Sequence, residues 1–131
     1  MARRPNSQVQ EYFSFAFDHV QVTADTLIQL MTAQRAMRVD AVQYINVTGL
    51  AASATDYFNI KLQKGSTIMA NWSTQTSAQG AIAADTFVSP VLSSTDANLV
   101  AAAGDVLKLN LDETGTQTLP AGHIVVHGRY V

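Results

Sequence analysis

The chain has 131 residues and 14.1 kDa, with 47% hydrophobic and 14% charged residues. That is enough for one domain burying roughly two-thirds of its unfolded surface. A formal net charge of −2 and no cysteine argue against a nucleic-acid partner, which needs clustered cations, and exclude disulfides, thiolate catalysis and cysteine-ligated zinc.

Residues 1 to 10, MARRPNSQVQ, are polar, carry Arg3, Arg4 and Pro5, and show no periodicity. They read as a flexible N-terminal arm ahead of a single domain at 11 to 131. No apolar run follows the arginines, so no secretory signal is expected, and no stretch of about 18 apolar residues suggests a membrane partner. Phe13, Phe15 and Phe17 alternate with Ser14, Ala16 and Asp18, the period-2 pattern of a strand with one apolar face. Between Ala24 and Met37 the spacing of Leu27, Leu30 and Met31 fits a helical face with Asp25 as N-cap, or a short strand and turn; the strand is the preferred reading.

Arg38 to Thr48 reads as a strand ended by Gly49, with Val39, Ala41, Ile45 and Val47 on one face and Arg38, Asp40, Tyr44 and Asn46 on the other. Tyr57 to Gln63 sets Phe58, Ile60 and Leu62 against Asn59, Lys61 and Gln63. Lys64-Gly65-Ser66 then turns the chain into a strand from Thr67 to Trp72. Ser73 to Ala84 is small and polar, a surface connection with a helical turn near Ala81 to Ala84. Thr86 to Leu92 reads as a strand that Pro90 confines to an edge or bulge.

The closing section is the clearest. Leu107, Leu109 and Leu111 alternate with Lys108, Asn110 and Asp112, a turn is expected from Asp112 to Gly115, and Pro120-Ala121-Gly122 leads into a strand from His123 to Val131. Seven or eight short strands without a long helix predict an all-β fold. The expected architecture is an antiparallel β-sandwich of jelly-roll or related Greek-key topology.

Candidate chemistry is sparse. His123 and His127 lie four residues apart in a strand, roughly 13 Å, too far to share a metal. Asp112 and Glu113 are neighbours pointing different ways, unsuited to paired acid–base work on one atom. No nucleophile elbow or phosphate-binding glycine loop occurs. We therefore expect no enzyme, with no catalytic, cofactor-binding or metal-binding residue, no cofactor and no small-molecule substrate. Trp72, the single tryptophan, is core packing, or else an exposed anchor at a protein interface or a sugar-stacking platform.

The section AAAGDVLKLNLDETGTQTLPAGHIVVHGRYV resembles the closing part of small β-sandwich structural proteins of tailed bacteriophages. There Ala-Gly-Asp, an alternating strand, a Gly-Thr loop, Leu-Pro-Ala-Gly and a last strand recur. NIKLQKGSTIMA is similar to their middle hairpin. The resemblance implies a capsid decoration, or cementing, protein, made in the host cytoplasm and placed on the outer capsid surface of the virion. Its implied partners are the major capsid protein and further copies of itself, as a dimer or trimer. Arg3, Arg4, Gln8, Gln10 and Trp72 are the candidate partner contacts. The alternatives are a head-fibre, tail or baseplate module, and a carbohydrate-binding module for host-surface attachment.

Overall fold

The computed structural model describes residues 11–131. Among these residues nine strands form two antiparallel sheets: β1 (Tyr12–His19), β2 (Thr26–Thr32), β3 (Met37–Asn46), β4 (Tyr57–Lys64), β5 (Thr67–Ser73), β6 (Val91–Leu92), β7 (Val100–Ala101), β8 (Val106–Thr114) and β9 (Gly122–Tyr130). A 3₁₀ turn at Asp96–Leu99 precedes β7. One sheet has the order β1-β9-β3-β7 and the other β2-β8-β4-β5-β6. With β6 set aside, the chain crosses between sheets at every step except the β4–β5 hairpin. That is the winding of a jelly roll.

The inner faces of both sheets share one core. Phe58, Ile60 and Leu62 of β4 and Leu107, Leu109 and Leu111 of β8 are all at most 1% exposed, and Ile60 pairs with Leu111, Leu62 with Leu109. Opposite residues in an antiparallel pair lie on the same face, so two matched alternations bury one continuous apolar stripe. At the β4–β5 hairpin, Gly65 takes φ 55°, the left-handed conformation that a two-residue turn requires.

The all-β sandwich agrees with the expectation from sequence, and the Ala24–Met37 stretch is a strand, Thr26–Thr32, followed by a turn. Four local expectations are corrected. In β3 the register shifts between Val39 and Ala41, so alternation restarts one residue out of phase. Val39, Val42, Tyr44 and Asn46 are buried, whereas Ala41 and Val47 are exposed and Ile45 is half-buried. A β-bulge of this kind sends every following side chain to the opposite face. The strand β8 runs on to Thr114, so the expected turn at Asp112 begins only at Gly115. Ala81–Ala84 forms no helical turn, because Ile82 is held in an isolated bridge to Leu50. Thr86–Leu92 is not one strand but is broken at Pro90 into a single bridge, Val88 to Tyr44, and the two-residue β6, which lies at a sheet edge as the proline implied; proline supplies no N–H to continue a ladder.

Candidate functional site

Strand direction sorts the charged residues into two populations. Among the described residues, Asp18, Asp25, Asp56, Asp85, Asp112 and Glu113 lie around the end carrying the β1–β2, β3–β4 and β8–β9 connections, six carboxylates against the one cation Lys61. That half has a formal charge of −5, and Lys61 is already bound to Asp112 at 3.0 Å. The opposite half holds Arg35, Arg38, Lys64, Lys108 and Arg129 against Glu11, Asp40, Asp96 and Asp105, a formal +1. Arg35 pairs with Glu11 and Arg38 with Asp96. The sandwich is electrically polar along its strands, a property that orients encounters over more than a contact distance.

The flank formed by β1 and β2 is the second feature. Phe13, Phe15 and Phe17 share the inner face of β1, opposite Gly128, Val126 and Ile124 of β9. Their rings make a ladder, Phe13 stacked on Phe15 at 5.1 Å and Phe17 edge-on to Phe15 at 5.2 Å. All three are only half-buried, as are Ile28, Leu30 and Met31 of β2. Because the 3₁₀ turn packs on both β5 and β7, those strands close one flank of the sandwich, and β1 and β2 bound the other.

A buried polar group sits at the acidic end. His19 closes the inner-face series of β1 and is 6% exposed. Its Nδ1 lies 2.7 Å from the Val20 carbonyl, which can only accept, so Nδ1 carries the proton and Nε2 accepts from the Tyr44 hydroxyl at 2.6 Å. The rings stack at 5.7 Å. Burial pulls the His19 pKa below its ordinary 6.5, helped by the nearby His123 and opposed by the Val20 carbonyl and Asp18. Burial likewise raises the Tyr44 hydroxyl well above its ordinary range, opposed by the Asn46 side chain. Gly122 makes room: a Cβ there would sit 2.4 Å from the Ile45 carbonyl oxygen and 2.9 Å from the Tyr44 hydroxyl. The chemistry available is a fixed neutral imidazole in a packed interior. The signal in the sequence was parity, since His19 falls in phase with Phe13, Phe15 and Phe17.

The other residues singled out from sequence fall as follows. His123 and His127 lie on the outer face of β9, His123 near Asp18 at 3.6 Å and against the Phe87 ring, His127 at 3.0 Å from Gln43 Oε1. Among the described residues no group of three or more His, Asp or Glu side chains is placed to hold a metal. Asp112 binds Lys61, while the Glu113 backbone N–H donates to Asp25, so the adjacent carboxylates serve different neighbours. Trp72 is half-buried on the inner face, opposite Ile60, and its indole N–H donates to the Gly80 carbonyl at 3.1 Å. Its polar handle is spent within the chain. Arg3, Arg4, Gln8 and Gln10 lie outside the described residues.

An open groove at the β5–β6 edge is lined by Thr67, Ile68, Asn71, Gln79, Val91 and Asn98, amides and hydroxyls beside two aliphatic side chains. No helix of the described residues is long and apolar enough to cross a membrane. Comparison with known proteins finds no matching family model, no matching curated protein and no matching solved structure.

Proposed function

We propose that the chain is a structural virion protein that binds the outer surface of a phage head and cements neighbouring major capsid protein subunits, acting as a homo-oligomer. The observation that carries this reading is the separation of charge along the jelly roll. Segment 1–10, with Arg3 and Arg4 and no carboxylate, joins the net-positive half at Glu11, and the −5 half lies at the far end. A body so polarised suits docking by one end onto an acidic protein surface with the other end toward solvent. The likeness of the closing section to phage β-sandwich proteins points to the capsid as that surface. A clamp that binds the assembled shell and not its separate subunits stabilises the shell by RT ln(1 + [L]/Kd) per site, and symmetry repeats that small term many times.

The test is to mix the purified protein with expanded, undecorated heads and image them by electron microscopy. Regular external density that weakens as salt is raised is the expected result. Heads that remain bare at protein excess overturn the reading. A second reading, carbohydrate binding, draws on the groove lined by Asn71, Gln79 and Asn98, whose amides suit sugar hydroxyls. It predicts retention on host-surface polysaccharide that Asn71→Ala abolishes.

A further inference from the structure

Two sheets have four edges, and among the described residues three of them are blunted. The β7 edge is two residues long, the β6 edge is two residues long and follows Pro90, and β2 is interrupted by a register shift between Gln29 and Met31. Short strands, prolines and bulges are the usual devices that stop an edge from recruiting another strand. The β1 edge has none of them. It runs eight residues in unbroken register from Tyr12 opposite Arg129 to His19 opposite Gly122. Its sequence, YFSFAFDH, contains no lysine, arginine, proline or glycine. Its inner face is the partly exposed phenylalanine ladder.

We infer that β1 is the seam of a two-fold homodimer, in which the β1 strands of two copies pair antiparallel with Phe15 on the axis. Side chains opposite each other across an antiparallel pair share a face, so the phenylalanines must meet inner-face residues of the other copy. With Phe15 on the axis, Phe15 meets the partner's Phe15 and Phe13 meets the partner's Phe17. All six rings are then covered along one continuous sheet. Centring on Ser14 instead sets Phe17 against the partner's Glu11, and centring on Ala16 sets Phe13 against the partner's His19. One register alone matches ring to ring throughout.

Charge selects the same occupant and the same direction. Antiparallel alignment lays the −5 half of one copy beside the +1 half of the other, with Asp18, 89% exposed, opposite the partner's Tyr12. A parallel arrangement about a three-fold axis would set like ends side by side and lose this attraction. The dimer gives the homo-oligomer of the proposed function one specific form, while docking onto heads is tested separately, so either can fail alone.

The test uses the full chain. Light scattering is expected to give twice the 14.1 kDa of one chain, and a mass of one or three chains overturns the inference. Because the chain has no cysteine, Phe15→Cys places a single thiol on the axis. A short thiol–thiol cross-linker is expected to convert it to a covalent dimer, and to leave Leu27→Cys on neighbouring β2 uncoupled. Equal coupling at Leu27→Cys, or none at Phe15→Cys, overturns it. Phe15→Lys is expected to halve the mass while circular dichroism keeps its β signature; a folded variant that stays dimeric overturns it. Should that variant fail to fold, amide exchange in the unmodified chain reads the same seam. Residues 12–19 are expected to exchange several-fold more slowly at high than at low protein concentration, and no dependence on concentration overturns the proposal.

Discussion

The β4–β8 pair and the β1–β2 flank are built from the same kinds of residue and end in different states. Phe58, Ile60, Leu109 and Leu111 lose all contact with water; Phe13, Phe15, Phe17, Ile28 and Leu30 remain partly exposed. Composition does not separate them. Position in the sheet order does: among the described residues β4 and β8 are flanked on both sides, β1 and β2 on one side only. The stability of the sandwich is therefore concentrated at its centre, while the apolar surface left at the flank is available to a partner.

Four measurements break or sharpen that contrast. Leu109→Ala at the centre is expected to cost about 2–5 kcal/mol in urea unfolding, because a packed interior collapses only partly around the lost side chain. Phe15→Ala at the flank removes a larger side chain and, at protein concentrations too low for β1 to pair, is expected to cost less, about 1–2 kcal/mol, since part of its surface in the single chain meets water. A larger loss for Phe15→Ala than for Leu109→Ala, at equal protein concentration, would erase the distinction.

Acid should weaken the end that holds His19. With its folded-state pKa below 6.5, the unfolded chain takes up the proton first as pH falls. The contribution of neutral His19 is therefore complete above about pH 6.5 and declines as pH drops from there toward the folded-state value. Urea midpoints across that window are expected to fall with acid, and His19→Gln to flatten that part of the profile. The smallest effect belongs to the exposed Arg35–Glu11 pair at 3.2 Å. Arg35→Ala is expected to change stability by less than about 1 kcal/mol, with added salt narrowing the difference.

What could be read from the residues depended on whether alternation ran undisturbed. β4, β8 and the turn at Gly65 were legible because their apolar positions kept strict period 2 and a glycine stood where a left-handed residue was needed. The inner face of β3 was not, since nothing in Met37–Asn46 marks the extra residue at Asp40; the bulge appears only when β9 is laid alongside. Ile82 was read as part of a surface connection because its partner Leu50 is distant in sequence. The candidate surfaces were harder still. The phenylalanine stripe was plain, but whether β1 was an interior or an edge strand was not. The charge separation needed the direction of every strand before Asp18, Asp56 and Glu113 could be placed at one end. Trp72 could be taken for an exposed anchor until Gly80 was seen to receive its N–H.

The place of β9 between β1 and β3 has a kinetic meaning. Phe17 pairs with Ile124 and Tyr44 with the same residue from the other side, so these contacts close loops of about a hundred and about eighty residues. Until β9 is in place, neither β1 nor the body of β3 has its main neighbour in that sheet. Distant pairings of this kind must be met by chain search before they return any stabilisation, and they slow folding. The sheet that carries the aromatic edge should thus be the late half of the molecule to form. During that interval its phenylalanines are exposed to whatever else the cell contains.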